Sequence, residues 1–314
     1  MTSVSLVLDI GATKIAYGLV PDDSPRDVLH TGRIPTQPAD STAADQVRSA
    51  LRQATQAAGS ATIARVGIGA PGIISAEGTV VHAGDTMPGW AGTDLRALAA
   101  EEISAPVAIA NDVRAWAYGE HKLGAGTEFP TGRVLYVSLG TGVGGALIED
   151  SALIDGPTGS AGEISELVCA DFRGLADRCE NIASGNSLAR YYQVLSHHPE
   201  AGLIPWTAPD PDAIDLRGVM ELYSRGDDLA QRIITGNLTG LGRCLGALAS
   251  GFDLTAIVLG GGVTGIGPAV TEPIEAGVRS AALAPQADLP VKLSTNLNHA
   301  PLIAAAALAR DHAH

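Results

Sequence analysis

Three times along this chain an apolar, β-branched run ends in a turn of glycine and threonine or of glycine alone: Asp9-Ile-Gly-Ala-Thr-Lys14, Ser138-Leu-Gly-Thr-Gly-Val-Gly-Gly145 and Leu259-Gly-Gly-Gly262. Glycine lets a ligand approach the main chain and adopts torsions closed to other residues, and threonine adds a hydroxyl. Such turns leave amide donors free to cradle phosphate oxygens. A single one is most often a plain hairpin, but three in this order narrow the choice. Residues 15–20 and 143–148 resume a strand pattern after the first two turns, which predicts two β-hairpins. The second repeats the first in the other part of the chain and suggests two related halves.

Helical and strand patterns alternate between these turns. Apolar spacing predicts a helix over residues 41–58, capped by Ser41 or Thr42 and stopped by Gly59. Further helices are predicted over 94–103, 112–123, 181–198, 211–225, 227–252 and 301–309, with strands over 3–9, 65–70, 107–110, 134–139 and 256–259. The chain is therefore mixed α/β. Its 314 residues suffice for two domains, and 46% apolar with 17% charged residues excludes collagen-like and disordered classes. With 20 basic against 34 acidic residues the net charge is −14, which argues against nucleic acid as a partner; an anion site must be built locally from backbone amides. Three cysteines, Cys169, Cys179 and Cys244, fit no zinc or disulfide spacing and favour a reducing cytoplasm. No basic segment followed by an apolar one opens the chain, and no apolar run approaches the about 18 residues of a membrane span, so neither a signal peptide nor a membrane segment is expected.

The opening Asp-x-Gly-x-Thr turn, the central Gly-Thr-Gly hairpin and the late Gly-Gly-Gly turn together resemble the sugar kinase, hexokinase and actin ATPase superfamily. Gly69-Ala-Pro-Gly72, Met87-Pro-Gly-Trp90, Ala110-Asn-Asp112, Gly159-Ser-Ala-Gly-Glu163 and Ala183-Ser-Gly185, in that order, are similar to motifs of the ROK family of bacterial sugar kinases and repressors. The resemblance implies an actin-like ATPase (ribonuclease H-like) fold: two α/β domains with an interdomain cleft. The smaller domain would comprise residues 1–111 plus a C-terminal helix at about 300–314, the larger residues 112–299. It also implies a cytoplasmic kinase using ATP and Mg2+ on a hydroxymethyl-type hydroxyl of a hexose or hexose-like ring, commonly a homodimer.

Carried over residue by residue, Asp112 would be the base, and Asn111, Gly72, Glu163, Glu166 and Glu180 would contact the sugar. Asp9 would hold magnesium through water, Gly11, Thr13, Lys14, Gly140, Thr141 and Gly142 would contact phosphates, and Gly261 and Gly262 would pass beneath the nucleoside. Read by chemistry alone, Asn111 and Asp112 also suit helix caps, Lys14 a solvated strand position and the glycine triplet a tight turn. Repressors of the family carry a DNA-binding segment ahead of the first turn, whereas Asp9 here follows eight residues. The retained Asp112 and Gly-Thr-Gly turn speak against a non-catalytic sugar sensor.

The chain departs from the family where most members place one His and three Cys around a structural zinc. Glu166, Asp171, Arg173 and Arg178 stand in or near those four places, so no structural zinc is expected. Either an ion-pair cluster ties the loop, as bidentate arginine–carboxylate geometry allows, or its charges are solvated. A carboxylate at position 166 accepts hydrogen bonds where histidine could donate them. Together with Thr86, where many relatives have Asn, it points to an acceptor differing from glucose at that end, such as another hexose, an amino sugar or a C7 cyclitol. Drift within a glucokinase-like enzyme is the plainer reading.

Overall fold

In the computed structural model, which describes residues 2–84, 87–207, 210, 212–295 and 298–313, the first turn closes a hairpin of β1 (Ser3–Ile10) and β2 (Lys14–Pro21), antiparallel from Val4↔Pro21 to Ile10↔Ile15. There follow β3 (Leu29–Pro35), α1 (Ala43–Ala58), β4 (Thr62–Ala70), the short pair β5 (Ile73–Ile74) and β6 (Val80–His82), α2 (Leu95–Glu102), β7 (Val107–Asn111) and α3 (Asp112–Leu123). The sheet order is β3-β2-β1-β4-β7, with β1, β4 and β7 parallel. Both faces are covered, as parallel strands require. Leu6, Leu8 and Ile10 pack with Val47 and Leu51 of α1 on one face, and Val7 and Val20 pack with Leu302 and Ala305 on the other. The predicted caps hold: Thr42 accepts a hydrogen bond from Asp45 N, and Gly59 ends α1.

The second turn closes β8 (Arg133–Leu139) and β9 (Val143–Glu149). Then come β10 (Ala152–Leu153), β11 (Val168–Ala170), β12 (Ala176–Arg178), α4 (Cys179–Ala183), α5 (Gly185–Leu195), α6 (Leu216–Ser224), α7 (Asp228–Phe252), β13 (Ala256–Gly260), α8 (Pro268–Ala281), β14 (Val291–Leu293) and α9 (Ala300–His312). This sheet runs β10-β9-β8-β13-β14 with β8, β13 and β14 parallel. It repeats the first: a hairpin, then two parallel strands beside it. Its core gathers Leu135, Val137 and Ile257 with Ile234, Leu238 and Leu241 of the long α7.

The chain divides into two compact units, Met1–Pro130, Leu153–Ala161 and Thr295–His314 in the first, Thr131–Ala152 and Gly162–Ser294 in the second. Residues 112–130, expected in the larger domain, belong to the first unit. Two packing facts place α3 with the first unit. It lies against α9, where a Cβ on Gly119 would stand 2.5 Å from Ala304 Cα. Its Arg114, almost wholly buried, donates to the carbonyls of Ile154 and Gly159 and pairs with Asp155, which fastens residues 153–161 to the same unit. α9 sits directly on β4: a side chain at Gly67 would begin 2.1 Å from the Ala305 carbonyl oxygen, so only glycine fits.

The helix expected over 181–198 is broken at Ser184, whose hydroxyl caps α5 by accepting from Ser187 N. The one expected from residue 211 begins at Leu216 behind an Asp215 cap; Pro211 and Thr86 lie outside the described residues. Among the described residues no helix is long and apolar enough to cross a membrane.

Candidate active site

Strands β1, β4 and β7 end side by side in the first unit, with Asp9 in register with Gly69 and Gly69 with Ala110. A Cβ placed on Gly69 would lie 4.0 Å from Asp9 Oδ1 and 3.7 Å from Asp112 Cα, so the two acids flank this bare position. Alternation along β1 puts Asp9 on the face of Val7, the face covered by α9. Burial, then the neighbouring Asp112 carboxylate, raise the pKa of Asp9 to about 6 against the attraction of Lys14 and Arg33. Burial raises that of Asp112 as well, opposed by the Val113 N–H that its carboxylate accepts. Two carboxylates held this close favour a proton or a divalent cation between them, so the donor set fits a magnesium ion.

That repulsion has a measurable consequence. Because Asp9 binds its proton more tightly folded than unfolded, its contribution to stability falls as pH rises from about 4 to about 6, and the penalty is fully present at pH 7. Asp9→Asn should therefore stabilise the ligand-free protein at pH 7 by at most about 3 kcal/mol, the 1.36 kcal/mol per pKa unit scale applied to the shift. Thermal melts should show the gain shrinking as pH falls from about 6 to about 4 and vanishing below that. A variant less stable than wild type at pH 7 contradicts the assignment.

Asn111 caps α3, as its chemistry alone suggested, and is tied to the Gly72 corner. Its Oδ1 accepts from Val113 N (2.9 Å) and Arg114 N (3.2 Å), capping α3, and its Nδ2 donates to Gly72 O at 3.0 Å. The same amide group also hydrogen-bonds the Asp112 carboxylate, which opposes the rise of its pKa. The Pro-Gly-Trp motif supports the same corner, since Trp90 is buried and donates from Nε1 to Pro71 O at 3.0 Å. In the first turn the carbonyls are taken: Thr36 donates from Oγ1 to Gly11 O (2.6 Å) and from its amide to Thr13 O (3.1 Å). Among the described residues the amides of Ala12 and Thr13 donate to no main-chain carbonyl, and the side chains of Thr13 and Lys14 are exposed.

In the second unit Gly140 O accepts from Gly185 N at 2.9 Å, and the Gly140 amide donates to Gly142 O at 2.9 Å. Gly261 has φ +87, and a Cβ on it would stand 2.3 Å from Leu139 O, so the third turn needs glycine to sit on the end of β8. Gly140, Thr141 and Gly262 meet in one cavity of about 710 Å³, walled also by Asn186 of α5 and by Ile214 and Met220. That volume is in the range of small-molecule sites. Its α5 and α6 walls are absent from the sequence reading, although Ala183-Ser-Gly185 marks the first of them.

Glu180 Oε2 accepts from Val143 N at 2.6 Å, which ties its carboxylate to the second turn; burial raises its pKa, and nearby Glu166 adds to the rise against Arg178. Glu166 is exposed and lies 3.1 Å through both carboxylate oxygens from Arg178 Nη1. Glu163, half-buried, opens the single turn Ile164–Glu166. The charged residues in the family's zinc positions thus form two separate pairs and not one cluster. The inner pair is the stronger: Asp171, with no side-chain exposure, accepts on Oδ2 from Arg173 Nε (2.8 Å) and Nη2 (2.6 Å) and on Oδ1 from Arg173 N and Leu175 N. No group of three His, Cys, Asp or Glu is placed to hold a metal ion among the described residues.

The sequence matches the ROK family over residues 5–312. It is 30% identical to the glucokinase of Streptomyces coelicolor over 98% of each chain. It is 32% identical to the N-acetyl-D-glucosamine kinase of Escherichia coli O157:H7, covering 84% of this chain and 85% of the other. The structure is similar to a ROK family glucokinase from Streptomyces griseus in complex with glucose and AMPPNP, with a TM-score of 0.75, 30% identity and 98% and 99% of the two chains covered. It is also similar to a ROK hexokinase from Thermus thermophilus, with a TM-score of 0.77, 27% identity and 99% and 98% coverage.

Proposed function

We propose, on the premise that this chain belongs to the ROK family and is an ATP-dependent sugar kinase, that Asp112 is the general base for transfer of the γ-phosphoryl group to a hydroxymethyl oxygen of the sugar. The acceptor oxygen bonds to the γ-phosphorus, the bond to the bridging oxygen breaks, ADP leaves, and the hydroxyl proton passes to the Asp112 carboxylate. The observation that carries this reading is the placement of Asp112: a half-buried carboxylate of raised pKa at the end of β7, across Gly69 from Asp9. Asn111 contacts a neighbouring hydroxyl of the sugar and, through its amide, positions the Asp112 carboxylate, and Gly72 shapes the same corner. Magnesium neutralises phosphate charge when bound; Asp9 would hold it through water. Amides of Ala12 and Thr13 in the first turn and of Thr141 and Gly142 in the second donate to phosphate oxygens, with Gly11 and Gly140 giving the room for close approach, and the cavity beside Gly262 takes the nucleoside.

The acceptor is a hexose or hexose-like ring held by Glu163, Glu166 and Glu180. A C7 cyclitol or an amino sugar is the second reading, favoured by the Glu166–Arg178 pair standing where relatives bring a metal-bound histidine. ATP consumption measured across glucose, mannose, their N-acetylamino derivatives, glucosamine and a C7 cyclitol, with the phosphorylated oxygen located by NMR, tests this. Phosphate on an exocyclic hydroxymethyl oxygen is expected; turnover with none of these acceptors, or phosphate on a ring hydroxyl, refutes it. A homodimer is proposed by family analogy and is checked by sedimentation.

A further inference from the structure

Arg33 stands apart from the other arginines of the first unit. Each of those is held by a carboxylate or a main-chain carbonyl, as Arg65 is by Asp22 and Arg96 by Val107 O. Arg33 and Lys14 take no such partner within bonding distance among the described residues; Asp9 attracts both only through space. Both cations line a cleft of about 550 Å³ with Asp9, His299 and the first residues of α9.

Register explains the room between them. Asp9, Ala16 and Arg33 form one cross-strand row over β1, β2 and β3, so the three side chains rise from the same face. At about 4.8 Å between strands the outer two main chains are about 10 Å apart. The middle residue is alanine, so the row has acid and guanidinium at its ends and open space between, on the scale of a tetrahedral oxyanion. β3 also leads into Thr36, whose hydroxyl and amide hold the carbonyls of the first turn, so Arg33 and that turn are positioned by one short stretch of chain.

We propose that Arg33, together with Lys14 and His299, forms a phosphoryl-binding pocket beside Asp9, with the planar guanidinium receiving two phosphoryl oxygens. Arg33 is thus a substrate-contacting residue that no feature of the first turn announces. The inference rests on the kinase reading for the identity of the phosphoryl group, the γ-phosphate before transfer; free inorganic phosphate presents the same oxygens. Arginine suits the role because its fork matches two oxygens at once, whereas lysine acts as a point charge.

The test compares wild type with Arg33→Gln, Arg33→Lys and, as a control of equal charge loss, Arg243→Gln, an exposed residue of α7. Inorganic phosphate binding is measured by 31P NMR titration, turnover by ATP consumption, sugar binding by tryptophan fluorescence without nucleotide, and folding by thermal melts. Arg33→Gln is expected to weaken phosphate binding at least about tenfold, with Arg33→Lys between it and wild type, Arg243→Gln unchanged and sugar affinity unchanged in all. A parallel loss of kcat assigns the pocket to the γ-phosphate, and loss of phosphate binding at unchanged kcat assigns it to free phosphate. A folded Arg33→Gln protein that binds phosphate and turns over within twofold of wild type overturns the pocket while leaving the kinase reading intact. Loss of phosphate binding in Arg33→Gln, from a wild type that phosphorylates no sugar, removes the kinase reading and leaves the pocket.

Discussion

Asp112→Asn is expected to lower turnover by at least about a hundredfold, the usual scale for removing a general base, while sugar binding changes little. The substitution isolates the proton-accepting role. The side-chain oxygen that accepts from Val113 N is retained by the amide, so α3 keeps its first-turn contact, and Asn111 still caps the helix. The variant should fold and be at least as stable as wild type at pH 7, because it also removes the charge that repels Asp9. Its pH profile supplies an independent reading. In wild type the base must be ionised, and burial raises Asp112 while burial and Asp112 together raise Asp9 to about 6. As a close pair they titrate together, so the acid limb of kcat should lie above the ordinary carboxylate range near 4. The residual activity of Asp112→Asn should lose that acid limb. Steady-state kinetics from pH 5 to 8 decide it, and turnover near the wild-type level would remove Asp112 from the chemistry.

The parts of this arrangement that were legible in the sequence share one property: they are local. Both hairpins, the caps at Thr42 and Asn111 and the three turns each rest on a few adjacent residues whose torsions or donors leave little choice. What distant segments build together was not legible. The cavity beside Gly140 and Gly262 takes its walls from α5, Ile214 and α6, and its lining is drawn from a stretch of more than 120 residues. α8 carries Pro273 within its length, which hides its period, yet Pro268 at its first turn is an ordinary helix start. The placement of α3 follows from an alanine face on α9 meeting Gly67 and Gly119, contacts no linear pattern encodes. Arg33 reads as one more solvated strand residue until the register sets it in line with Asp9.

The loop that departs from the family's zinc motif should fail when Asp171 is replaced, and should not respond to chelators. Asp171→Ala removes a carboxylate with no side-chain exposure that accepts from two main-chain amides, from two guanidinium nitrogens of Arg173 and, at 3.3 Å, from Tyr191 Oη. Arg173 is left 17% exposed, still donating to Ala201 O and Gly202 O and lying 5.6 Å over the rings of Phe172 and Tyr191, but without a counter-charge. Breaking such a pair costs about 3 kcal/mol or more, and at about 2–4 °C per kcal/mol for a chain of this class the melting temperature should fall by roughly 10 °C. Asp171→Asn keeps an acceptor for the two amides and should lose less. Glu166→Gln, at the exposed pair with Arg178, should stay within about 0.5 kcal/mol of wild type because solvent screens that contact. Melts of these three variants with and without EDTA separate the explanations. If side chains hold the loop, the order is set by burial and EDTA shifts nothing. An EDTA-dependent melt, or an Asp171→Ala protein as stable as wild type, would mean that something other than this ion pair closes it.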